Sequence, residues 1–264
     1  MIYIYKKYQV GYSLVCSAII ICMIASFIFL NIPLKLYPLV TIIASILVIT
    51  AAVTFTNLTY KKIAKEVMVL FNECHMNEFI NTLRGLFVKK KGSTVDSFYN
   101  ANLAAGYSCL GDYDMVYECC KNIKAKNYKA EYHKYMIDYY LSKDKPELVQ
   151  RGIDELRKLT VKMKQPYKDV YENSIKTAEY SLRIKNGDYE GAEEFFLEVL
   201  TTTSPIQPIT KVSYSFAIGN LLVLKGEPER AKEYLQTAYE LGGDTKFRIR
   251  AEELLKNITK KVSF

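Results

Sequence analysis

The chain has 264 residues, 50% of them hydrophobic and 24% charged, with no tryptophan, 22 tyrosines and a formal charge of +8. Removing Lys6, Lys7 and Lys35 leaves 33 Lys and Arg interspersed with 28 Asp and Glu. A nucleic-acid binder gathers its basic residues on one face, so that class is set aside. Six cysteines without C-x-x-C spacing set aside a thiolate metal site and fit a reduced protein.

The average conceals two different solvents. Residues 8–34 and 36–60 contain no charge, and Lys35 alone separates them. About 20 mainly apolar residues cross a bilayer as a helix, so the runs predict a transmembrane hairpin anchor over 1–59, with spans at 12–30 and 39–55. Lys35, with Asn31, Pro33 and Pro38 around it, marks the turn. No pair of small residues offers a cleavage site after the first run, so a retained anchor is expected rather than a signal peptide. Lys6 and Lys7 before the first span, and Lys61, Lys62 and Lys65 after the second, predict a two-pass cell-membrane protein with both termini cytoplasmic. Tyr3, Tyr5, Tyr8, Tyr12, Tyr37 and Tyr60 stand where interfacial aromatics belong. A lipid bilayer is thus one expected partner.

The stretch 61–91 reads as continuous with the second run. Ile63, Val67, Leu70 and Phe71 form one apolar stripe and Phe79, Leu83 and Leu86 the next, with a turn at Cys74-His75-Met76-Asn77 between them. Further turns follow at Gly111-Asp112, Asp144-Lys145-Pro146, Gly187-Asp188 and Gly226-Glu227-Pro228, at steps of 37, 33, 43 and 39 residues. A second row of chain breakers, Gly92, Asn127, Pro166, Pro205 and Gly243, lies between these turns at steps of 35, 39, 39 and 38. Two interleaved rows with nearly one period predict helix pairs stacked side by side. In the last pair Gly219 leaves room for a close helix, and Ala231, Tyr234, Leu235 and Ala238 make one apolar stripe on a charged helix. A closing helix at 245–260, with Glu252, Glu253 and Lys256 outward, would cap the row.

Leu103-Ala104, Tyr107, Gly111 and Val116, then Ala192 and Phe196 after Gly187, then Ile218-Gly219, Leu222, Gly226, Ala231, Leu235 and Ala238, resemble the tetratricopeptide repeat, a helix–turn–helix unit of about 34 residues. The helix before Gly187 departs from the pattern, with Arg183 where an aromatic belongs. The resemblance covers about 60–264. It implies an all-α chain in which about five helix pairs and a capping helix form an α-solenoid. Gly111, Asp112, Gly187, Asp188, Ala192, Gly219, Gly226 and Ala231 would be its turn and packing residues.

No constellation for chemistry is visible. His75 and His133 lie far apart and have no ligand companion at helical spacing. No phosphate-cradling loop or nucleophile elbow is present. The acidic pairs Glu193-Glu194 and Glu252-Glu253 read as solvated faces. No cofactor, metal, small-molecule substrate or catalytic activity is expected. What remains is the wall made by the first helix of each pair, where offsets from the turns place Phe98, Lys134, Asp138, Thr177, Lys185, Phe216 and Asn220 as partner-binding residues. A carboxylate clamp of the chaperone-binding kind needs a lysine four residues before an asparagine. Phe216 precedes Asn220, and Asp138 follows Lys134, so that clamp is not expected. The expected function is a membrane-anchored, non-catalytic scaffold for a protein or peptide partner at the cytoplasmic face. The alternatives are a subunit assembled into a membrane or envelope complex through its hairpin, and a peptide-gated regulator.

Overall fold

Five times among the described residues a helix ends in the same way. The residue after the C-cap takes a left-handed backbone at Cys74 (φ 65°), Gly111 (82°), Asp144 (52°), Gly187 (78°) and Gly226 (80°). At each, the next amide donates five residues back: His75 to the Leu70 carbonyl, Asp112 to Tyr107, Lys145 to Tyr140, Asp188 to Arg183 and Glu227 to Leu222, all at 2.8–3.0 Å. The left-handed residue itself donates three back, from Cys74 to Phe71 through Gly226 to Val223. This paired bonding satisfies carbonyls that a helix end leaves orphaned. Glycine takes the conformation freely at three of the five turns; Cys74 and Asp144 adopt it despite a β-carbon.

The structure is a computed structural model and describes residues 9–29, 37–87, 93–202 and 206–262. Among the described residues it is all-helical, without strands. The α-helices are α1 (Gln9–Phe29), α2 (Tyr37–Asn72), α3 (Met76–Leu86), α4 (Ser93–Leu110), α5 (Tyr113–Lys121), α6 (Lys129–Ser142), α7 (Pro146–Thr160), α8 (Tyr167–Lys185), α9 (Ala192–Thr202), α10 (Pro208–Leu224), α11 (Pro228–Leu241) and α12 (Lys246–Val262). A 3-10 turn at Lys126–Tyr128 leads into α6. The breakers Gly92 and Pro205 lie outside the described residues. The chain divides into two compact units, Met1–Met68 with Thr82–Lys89, and Val69–Asn81 with Lys90–Phe264.

In the first unit the expected pair of membrane spans is corrected. Among the described residues no helix is long and apolar enough to cross a membrane. α2 also does not stop near residue 55 but continues to Asn72 through Lys65 and Glu66. Within its apolar part Ser45 and Thr50 turn their hydroxyls back onto the Thr41 and Ile46 carbonyls, each at 2.8 Å. The two-pass cell-membrane placement with cytoplasmic termini rested on those spans and is corrected with them. Lys6, Lys7 and Lys35 lie outside the described residues. Large apolar side chains of α1 and α2, including Leu14, Ile21, Leu39, Leu47 and Ile49, are exposed.

In the second unit consecutive helices from α4 to α12 pack on one another except α8 and α9, and the first helices α4, α6 and α8 also lie side by side. One core is built from Ile137 on α6, Val149, Ile153 and Leu156 on α7, and Ile175 on α8. Another joins Phe196 on α9, Ile218, Leu221 and Leu222 on α10, Leu235 on α11 and Ala251 on α12. Small residues let the pairs close. A β-carbon on Gly152 would stand 2.7 Å from Ile137, and one on Gly219 would stand 2.7 Å from Leu235. Ala192 and Ala231, two more expected packing positions, are fully buried. Asp112, expected at a turn, caps α5 by accepting from the Met115 amide. Asp188 accepts from the Glu190 amide and pairs with Arg183.

The row of pairs also meets its own beginning. Asp244, in the turn before α12, accepts from the Met76 and Asn77 amides at 2.6 and 2.8 Å and from the Asn77 side-chain amide at 2.6 Å. Its own amide donates to the Cys74 carbonyl at 3.1 Å. Beneath this tie Cys74, Met76, Ile209 and Val212 form a small buried cluster with Phe247 against it. The turn of the first pair is thus held by α10 and by the entry to α12.

Candidate partner-binding surface

The residues expected to line the wall are used within the fold, and in a regular way. Asp138 on α6 accepts from Ser108 on α4 at 2.7 Å. Lys185 on α8 donates to the Leu141 carbonyl and to Asp144, both at 3.0 Å, at the end of α6. Thr177 on α8 meets the Tyr214 hydroxyl of α10 at 3.1 Å. Phe216 on α10 is 7% exposed and packs on Phe247 of α12, ring centres 5.8 Å apart. Each bridges one first helix to the next. Phe98 is half-buried, edge-on to Tyr128 at 6.3 Å, and Lys134 rests over the Tyr135 ring at 5.4 Å. Asn220 is half-buried, and its amide has no partner among the described residues. The wall is therefore stitched along its length, because polar side chains on adjacent first helices find one another before they find a ligand.

Behind this wall the fold encloses groups whose ionisation it opposes. Burial pushes the Cys74 and Cys120 thiols up to about 12 and the Cys109 thiol up to about 11. It also raises Tyr135 and Tyr171, with Tyr171 further raised by the charge and hydrogen bond of Glu131. These thiols are held neutral, the opposite of what a nucleophilic or metal-binding cysteine needs. Burial lowers His133 below the usual imidazole range. Among the described residues no group of His, Cys, Asp and Glu is arranged to hold a metal ion.

The fourth pair is different. Its two helices, α8 and α9, keep their backbones further apart than the helices of the other pairs of this unit. Aromatic rings fill the gap. Tyr180 of α8 stacks on Phe195 of α9 at 5.2 Å and stands 6.0 Å from Phe196. Tyr214 of α10 closes on both, at 6.4 and 6.0 Å. The connection between the helices is also longer, with left-handed glycines at both Gly187 and Gly191. Rings this wide cannot interdigitate like the small residues of the other pairs. A hollow of about 590 Å³ opens along this pair and α7, with Tyr180 and Phe195 in its lining and Lys176, Glu179, Glu194 and Glu198 among its charged residues.

Most of that charge is engaged. Glu179 pairs with Arg157 of α7. Arg183 pairs with Asp188 at 2.6 Å and lies over Tyr180. Lys176 lies over Phe195 at 5.6 Å. Glu194 and Glu198, one turn apart on α9 and exposed, have no cation partner among the described residues. The expectation that Glu193 and Glu194 form one solvated face is corrected here. Glu193, only 18% exposed, turns the other way to bind Lys225 at 2.7 Å and Arg230, tying α9 to the last pair. Periodicity passed over this hollow because its lining comes from three helices. The signals in the chain were the doublet Phe195-Phe196 and Arg183 in place of an aromatic.

No family model, no curated protein and no solved structure matches this chain.

Proposed function

We propose that the chain is a non-catalytic scaffold of the tetratricopeptide-repeat type that binds a protein or peptide partner. The observation that carries this reading is the recurrence of one helix-ending turn five times among the described residues, the last four of them between helices that pack against each other or against the next pair. A pair of helices this short does not bury its own apolar faces, and stacking neighbours supplies the missing cover. The product is a surface made of many short elements, which suits a chain segment better than a compact metabolite. The neutral buried thiols, and two histidines kept apart, His75 in the first turn and His133 on α6, also favour recognition over chemistry.

Crosslinking tests it. The purified full-length chain, incubated in an extract of its source cells with a lysine-reactive crosslinker, is expected to yield inter-protein links to one partner at lysines of the first helices, Lys134, Lys176 and Lys185 among them. Links confined to the chain itself, or spread over many unrelated proteins without preference, would overturn the scaffold reading.

A further inference from the structure

We propose that the hollow between α7, α8 and α9 seats a basic segment of the partner, with its arginine or lysine side chains against Glu194 and Glu198. The proposal rests on the scaffold reading and specifies where and what the scaffold binds. Two independent features meet there. The helices of the fourth pair stand further apart than those of the third and fifth, with stacked rings between them and a hollow of about 590 Å³ alongside. It is also where the charge does not balance.

Of the cations of the hollow, Arg183 is neutralised by Asp188, and Lys176 lies over the face of Phe195 with its charge retained, one positive charge against the two of Glu194 and Glu198. Of the carboxylates, Glu179 is neutralised by Arg157. Glu194 and Glu198 remain, on successive turns of one helix, without a cation among the described residues. Like charges one turn apart destabilise a helix slightly, so a cation placed between them relieves a repulsion as well as making new bonds. An arginine meets carboxylates in two-pronged fashion, and its apolar stem can lie along the ring edges. An acidic segment would bring like charge to the same edge and be rejected.

The test uses the full-length chain and two fluorescein-labelled peptides of equal length, one with three arginines in a leucine–serine background and one with three glutamates at the same places. Fluorescence anisotropy is expected to show the arginine peptide binding at least tenfold more tightly. The double substitution Glu194→Lys, Glu198→Lys, at exposed positions that leave the fold intact by circular dichroism, is expected to erase that preference. A charge-matched control, Glu233→Lys, Glu253→Lys on α11 and α12, is expected to keep it. No preference in the wild-type chain, or equal weakening by both double variants, would overturn the proposal. The scaffold reading would then still be decided by the crosslinking above, which does not depend on this hollow.

Discussion

Asp244 accepts a hydrogen bond from the Met76 amide at 2.6 Å across 168 residues of chain. A second bond to the Asn77 amide makes the carboxylate an N-terminal cap for α3 borrowed from the far end of the repeat row. Caps of this kind are worth about 0.5–2 kcal/mol. Asp244→Ala is therefore expected to lower unfolding free energy by about 1–2 kcal/mol, read from a denaturant titration. Hydrogen exchange at Met76 and Asn77 should rise more than at Val149. Equal exchange in both variants would mean that the tie does not hold the first pair.

Gly226 and Gly219 separate two kinds of glycine requirement. Gly226 has φ 80° and open space around its missing β-carbon, so Gly226→Ala strains only the backbone and is expected to cost about 1 kcal/mol. At Gly219 the helix is ordinary but Leu235 lies 2.7 Å from the added atom, and overpacking of that kind costs about 1–3 kcal/mol. Combining Gly219→Ala with Leu235→Ala should restore part of the Gly219→Ala loss, as seen in a double-mutant cycle, whereas Gly226→Ala should simply add to Leu235→Ala.

Ala231 is fully buried where α11 crosses α10. Ala231→Leu is expected to destabilise by about 1–3 kcal/mol, and Ala231→Ser by less than the leucine. Melting temperatures of the two variants decide it; a harmless leucine would place this helix face wrongly.

The buried thiols predict alkaline lability. Cys74, Cys109 and Cys120 ionise near 9 when unfolded and only at about 12, 11 and 12 when folded. A folded value raised in this way contributes stability that is complete below pH 9 and is lost as pH rises through 11 and 12. Unfolding free energy should therefore fall steadily above pH 9, and a thiol reagent at pH 8 should reach the buried Cys74 and Cys120 only after denaturant is added. Fast labelling of the native chain at Cys74 or Cys120 would contradict the burial.

Glu193 gives the acid counterpart. Its hydrogen bond to Lys225, with a second from Arg230, holds its carboxyl below the usual 4.5. That stability is present above pH 4.5 and disappears as pH falls through the lowered value. Because Lys225 and Arg230 are 30% and 57% exposed, solvent screening limits the contribution to about 1 kcal/mol. Glu193→Gln should cost about that much at pH 7 and nothing near pH 2, measured by urea titration at both.

The turns were legible because a helix end is a local event. Five residues of chain, a left-handed position and the two carbonyls it serves are enough to specify one, and even Cys74 and Asp144, without glycine, stood at the right step in the row. The small residues Gly219 and Ala231 were legible for the same reason, since their spacing within one helix already says which face is tight. The apolar runs before residue 60 were legible as apolar, but their length as spans was not upheld among the described residues, and α2 ran on as one helix to Asn72.

The chain alone thus determined the helical class, the repeat of pairs and the places where they turn, all of which depend on neighbours within about 40 residues. Only the tertiary structure decided that Asp138, Thr177, Lys185 and Phe216 would bridge successive first helices, that Asp244 would reach back to Met76, and that Tyr180 and Phe195 would hold the fourth pair apart. Those outcomes depend on which surfaces meet at long range. A side chain's offset from a turn gives the direction it points in, while what it meets there is set by which helices pack beside it.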